Sequence, residues 1–125
     1  MIRGIKFVGI PVRDQDVALK FYTEALGMKG MTDQPYMPNQ RWIELKFAGA
    51  DTGIALFTPE GHEKRIGDFQ SISFWCDDVF ATADAMKKKG VVFTKEPTTE
   101  EWGSVAVFKD ADGNQFALSS RGKLK

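Results

Sequence analysis

The stretch IKFVGIPVRDQDVALKFYTEALGM, residues 5–28, decides how the rest of the chain is read. Residues 5–12 alternate as a strand does, with Val8, Ile10 and Val12 on one face and Phe7, Gly9 and Pro11 on the other. Asp14 is placed to cap a helix, because its carboxylate can accept from the backbone N–H groups that a first turn leaves without partners. Val17, Ala18, Phe21, Tyr22, Ala25 and Leu26 then recur at helical spacing. Gly27 can take the left-handed backbone that ends such a helix.

The same order returns in the second half. Residues 71–76 (SISFWC) read as a strand, Asp77 and Asp78 offer a cap, residues 79–89 read as a helix, and Gly90 stops it. Asp78 follows Asp14 by 64 residues, and Gly90 follows Gly27 by 63. KFAGADTGIAL (residues 46–56) lies over FKDADGNQFAL (residues 108–118) at an offset of 62. Three landmarks at nearly one offset predict an internal duplication, with too few copies and too long a period for a solenoid.

Between these landmarks, residues 29–33 predict a short strand and residues 34–40 a loop with Pro35 and Pro38. Residues 41–47 and 53–58 predict two further strands. In the second half, residues 91–93 predict a short strand, 94–101 a loop, 102–109 a strand, 110–113 a turn and 114–120 the last strand. Each half therefore reads βαβββ. The expected fold is α+β, with two such units in one domain over residues 1–125. The repeats cover about 1–60 and 68–125 and are joined by the charged 59–68 loop, a candidate hinge.

Lys plus Arg (17) equals Asp plus Glu (17), and no basic stripe interleaves with aromatics, which argues against a nucleic-acid partner. The basic residues 121–125 read as a solvated terminus. No apolar run approaches membrane-spanning length, so a cytoplasmic protein is expected. Cys76 is the only cysteine; it allows no intramolecular disulfide and reads as a small buried hydrophobe. His62, the only histidine, sits among Glu60 and Glu63 and reads as a solvated loop residue rather than a metal ligand. DADGN at 110–114 begins like a calcium loop but lacks the closing acid, which leaves an Asp-Gly turn.

Strand alternation predicts that Val8, Ile10, Ile43, Leu45, Ile54, Leu56, Ile72, Phe74, Val105, Val107, Phe116 and Leu118 cover the helices. The opposite face then receives Phe7, Trp42, Glu44, Phe57, Ser71, Trp75, Trp102 and Phe108, with Gly9, Ala55, Ser73, Ser104, Ala106, Gln115, Ala117 and Ser119 around them. Three tryptophans and one carboxylate make a poor solvent face. Either a partner chain covers it or it lines a pocket for a flat or apolar ligand, and both can hold together. Glu44 is the only carboxylate there. An apolar setting would raise its pKa and suit it to acid–base work, whereas a structural pair with Lys46 or Arg41 would occupy it.

VRDQDVALKFYTEALGM in the first unit and FKDADGNQFALSS in the second resemble the vicinal oxygen chelate superfamily, over nearly the whole chain. That group includes glyoxalase I, extradiol dioxygenases, fosfomycin-resistance proteins and bleomycin-binding proteins. The resemblance implies two βαβββ units related by pseudo-twofold symmetry. It also implies that metal-dependent members would place ligands at the positions of Phe7, Ser71 and Ala117, and near Ala55. Phe and Ala offer no lone pair, and Ser is a poor ligand beside His or carboxylate, so neither a metal nor another cofactor is expected. The expected function is metal-free binding of a small molecule, as in the bleomycin-resistance type, with an aromatic ligand that is neutral or cationic. The alternative is an enzyme that uses Glu44 as acid or base. A homodimer is expected, because the family often pairs the first unit of one chain with the second unit of another.

Overall fold

The computed structural model describes residues 1–61 and 63–121, so His62 and most of the basic tail lie outside the described residues. The chain divides into two compact units, Met1–Ile66 and Gly67–Lys125.

In the first unit, strand β1 (Phe7–Pro11) leads into helix α1 (Gln15–Lys20) and then into β2 (Lys29–Met37), β3 (Gln40–Lys46) and β4 (Gly53–Phe57). Asp14 caps α1, its Oδ1 accepting from the N–H groups of Asp16 and Val17 at 2.8 and 3.1 Å. The helix continues over Phe21–Ala25 in wider π-type turns. It ends at Gly27 (φ 79°), where Met28 N–H donates back to the Tyr22 carbonyl at 3.0 Å. The sheet order is β1-β4-β3-β2, with β1 parallel to β4 and the other pairs antiparallel. Cross-strand partners share a face. Val8 opposite Ile54, Ile10 opposite Leu56, Ile43 opposite Leu56 and Leu45 opposite Ile54 therefore form the helix-facing side. Tyr22, Ala18 and Met28 complete this core.

Two expectations change here. The region expected to be a loop at 34–40 is strand as far as Met37, and the turn narrows to Pro38 and Asn39, the latter at φ 67°. Pro35 is tolerated because β2 is an edge strand with one side free of ladder bonds. Val17, expected on the apolar stripe, is exposed, and its place in the core is taken by Gln15. The Gln15 side chain donates to the carbonyls of Arg41 (2.7 Å) and Leu56 (2.9 Å) and accepts from Arg41 N–H (2.9 Å). It thereby ties β3 to β4.

The second unit repeats the plan with β5 (Phe69–Cys76), α2 (Val79–Lys88), β6 (Phe93–Glu100), β7 (Gly103–Lys109) and β8 (Gln115–Ser120), in sheet order β5-β8-β7-β6. Asp78 caps α2 through Ala81 N–H, Val79, Ala83 and Met86 face inward, and Gly90 (φ 90°) ends the helix. The stretch expected to be a loop at 94–101 is mostly strand β6, with Trp102 in the turn that follows. The β7–β8 turn is held by Asp110, whose Oδ1 accepts from Asp112 and Asn114 N–H at 2.9 Å each. The buried Asn114 amide donates to Asp110 Oδ2 and accepts from Gly67 N–H.

That turn sets the register of β7, which overturns its expected facing. Phe108 lies opposite Phe116 and Ala106 opposite Leu118, so Ala106 and Phe108 point to the helix side. Val105 and Val107, opposite Ser119 and Ala117, point away from it. A shift of one residue moves a whole strand to the other face. Phe108, expected at the ligand face, is 1% exposed and packs with Phe74, Phe116 and Phe93 at centroid distances of 5.9, 5.7 and 5.9 Å. No helix among the described residues is long and apolar enough to cross a membrane.

Candidate functional site

The helix-free face of the first sheet is built by four strands. β1 contributes Phe7 and Gly9, β4 contributes Ala55 and Phe57, and β3 contributes Trp42 and Glu44. The sequence-predicted Phe7, Trp42, Glu44 and Phe57 therefore share this face. The Phe7 ring stands edge-on to Trp42 at 5.4 Å and 77°, and Tyr36 of β2 tilts against the same indole at 5.5 Å and 59°. Tyr36 was missed from sequence because it falls in the stretch read as a loop. Its only signal there was an aromatic residue between two prolines.

Trp42 Nε1–H donates to Glu44 Oε1 at 2.8 Å, and Lys6 Nζ lies 3.9 Å from the same oxygen. The expected partners, Lys46 and Arg41, are not the ones observed. Arg41 is on the helix side, where it bridges Asp33 (Nε–Oδ1 2.9 Å, Nη2–Oδ2 3.2 Å) and Asp16 (Nη1–Oδ1 2.8 Å). The hydrogen bonds to Asp33 and then Asp16 raise its pKa further above an already basic value. Phe57 lies over Gly9, where an added Cβ would come within 3.0 Å of the ring, and the Arg65 guanidinium sits 5.7 Å from the Phe57 centroid.

On the helix-free face of the second sheet stand Ser73, Trp75, Val105, Val107, Ala117 and Ser119. Ser73 and Ser119 hydroxyls are 2.7 Å apart, and Arg121 lies 5.0 Å from the Trp75 ring centroid. Ser71 has φ 58°, in an irregular stretch of β5 between the Phe69–Gln115 and Ser73–Ala117 pairs. A non-glycine residue in that region stores strain. Val107 opposes Ala117 as Glu44 opposes Ala55, so the second face carries an apolar side chain where the first carries its carboxylate.

A cavity of about 450 Å³ lies in the first unit, away from the aromatic face, where the start of α1 meets the β2–β3 turn; Gln15, Asp16, Asn39, Arg41 and Thr58 are among its lining. Gln15, Asp16 and Arg41 are already engaged with the protein itself, so the cavity offers few converging groups to a ligand. Among the described residues, no group of three or more His, Cys, Asp or Glu is placed to hold a metal.

The model of the Glyoxalase/Bleomycin resistance protein/Dioxygenase superfamily matches residues 4–118, and the chain belongs to that family. YetH of Bacillus subtilis, itself uncharacterized, is 40% identical over 94% of this chain and 98% of its own. A superfamily member from Sphaerobacter thermophilus superposes with a TM-score of 0.87 at 33% identity, covering 96% of this chain and 98% of that one. TnmS3, an antibiotic-binding protein from Streptomyces sp. CB03234, superposes with a TM-score of 0.81 at 30% identity, covering 95% and 96%.

Some members of this fold hold a metal ion. The positions concerned hold Phe7 and Ala55 on the first face, Ala117 on the second, and Ser71 in the irregular stretch of β5. One hydroxyl and no imidazole, thiolate or carboxylate do not fit a divalent cation.

Proposed function

We propose that the protein binds a small molecule without a metal ion, and that the ligand is aromatic and neutral or cationic. The observation that carries this reading is the Phe7–Trp42–Tyr36 ring cluster bordered by Glu44. Ring faces supply stacking area, and a carboxylate beside an indole favours positive over negative charge. Phe57 extends the first face. On the second unit taken by itself, Ser71, Trp75 and the turn residue Trp102 are proposed as a separate ligand-facing group, whereas the buried Phe108 is not. Similarity to an antibiotic-binding protein supports the same class. A homodimer is part of the proposal, since Trp75 and Phe69 on the helix-free side of β5 are 60% and 52% exposed and suit a covering partner.

The test is a fluorescence titration with neutral N-phenyl-1-naphthylamine and cationic thioflavin T. Trp42→Ala is expected to weaken binding about tenfold, the scale of one stacked ring. Equal affinity in the variant, or no binding by the native chain, overturns the reading. The enzyme alternative predicts instead that Glu44→Gln lowers a turnover by about 10²–10⁴.

A further inference from the structure

Resting on that binding reading, we infer that Glu44 is a positioning residue: it holds the Trp42 indole in one orientation, so that the ligand meets the ring face and not the indole N–H. Trp42 and Glu44 are two residues apart on β3 and share a face. The indole has a single polar proton, and that proton goes to Glu44 Oε1 at 2.8 Å. Two ring contacts limit the swing of the side chain, Phe7 edge-on at 5.4 Å and Tyr36 tilted at 5.5 Å. The N–H bond fixes the remaining rotation, because flipping the ring would leave the proton without its acceptor.

The carboxylate is itself held. Its side chain is 17% exposed, Ala55 opposite it on β4 is small, and Lys6 lies 3.9 Å from the oxygen that accepts the indole bond. One oxygen of the carboxylate, Oε1, is thus engaged by the indole N–H. The ligand class follows. A site whose indole N–H is already used selects for a flat unsaturated ring and gives no advantage to a ligand carrying an acceptor at the indole edge.

The test uses the full chain labelled with ¹⁵N-tryptophan. Three indole N–H resonances are expected, one per tryptophan, and the one lost in Trp42→Phe is that of Trp42. In the native protein it should lie downfield, exchange slowly with solvent, and show cross-relaxation to the Phe7 and Tyr36 rings. Glu44→Gln, whose amide oxygen still accepts, should keep that signature and the binding of N-phenyl-1-naphthylamine. Glu44→Leu should move the resonance upfield, speed its exchange and weaken the probe about tenfold, as loss of a hydrogen bond to a charged group does.

A native Trp42 resonance with the shift and exchange of a free indole overturns the inference. So does a Glu44→Gln protein that behaves like Glu44→Leu, because charge would then matter and not the acceptor. If Glu44→Leu fails to fold, the native spectrum and Glu44→Gln still decide. If the native chain binds no probe, the functional reading falls while the indole resonance alone judges the positioning role.

Discussion

Gln15 has an energetic role that its residue type conceals. It is buried at the first position of α1, and its amide makes three hydrogen bonds to the backbone of β3 and β4. Replacement by Ala would leave the Arg41 N–H and the Arg41 and Leu56 carbonyls short of a partner, the Leu56 carbonyl in a buried position and the Arg41 groups in a partly buried one. Gln15→Ala is expected to destabilise the protein by about 3 kcal/mol, read as a lower urea midpoint with an unchanged slope. A loss no larger than that of an ordinary surface substitution would show that water replaces the amide. Nothing in the sequence distinguishes this Gln from a solvated one, because helical periodicity marks only apolar residues as inward. Phe108 is the reverse case, an apolar residue expected at the ligand face that the fold buries on the helix side. Its face is set by which residue it opposes on β8, and that depends on the Asp110–Asn114 turn.

Capping and pairing decide the elements. Asp14 and Asp78 cap their helices as their positions in sequence suggest, since a cap is a local bond between residues two or three apart. The strands were legible where apolar residues alternate, in β1, β3, β4, β5 and β8. They were legible only in part in the edge strands β2 and β6, where residues 29–33 marked the start of β2 and 91–93 reached only the first residue of β6, and the mostly exposed remainder read as loop. An edge strand is held by its single neighbour, and KGMTDQPYM carries no alternation to announce that pairing. Gly53 begins β4 where the chain crosses closely beside β3. A Cβ there would come within 2.6 Å of the Leu45 carbonyl oxygen, a backbone atom that cannot turn aside. Gly53→Ala is expected to cost about 1–3 kcal/mol, the usual range for forcing extra volume into packed structure. A thermal melt unchanged from the native protein would show that the two strands can separate without loss.

For the whole molecule, two outcomes are expected. Sedimentation velocity at micromolar concentration should return a homodimer, because Trp75 and Phe69 stand 60% and 52% exposed on one sheet face where a second copy can cover them. A single monomeric species across the concentration range would remove the dimer from the proposal. Elemental analysis after dialysis should find no stoichiometric zinc, nickel, iron or manganese, since Phe7, Ala55, Ser71 and Ala117 present one hydroxyl as their only side-chain donor. About one such ion per chain would mean that other residues form a metal site.

The sequence by itself determined the duplication, the βαβββ order of each unit, the helix caps and the glycine stops. Each of these is written in residues a few positions apart, or in a repeat spacing that needs no contact to be seen. The resemblance in residues 12–28 and 108–120 pointed to the same family as the match over residues 4–118. Only the tertiary structure decided which face β7 presents, that Arg41 turns to Asp33 and Asp16 while Glu44 takes the Trp42 indole, and that Tyr36 joins the ring cluster. Those outcomes depend on cross-strand register and on partners brought together by folding. Alternation along one strand leaves both open: a strand's pattern fixes which residues travel together, and its neighbour fixes which way they point.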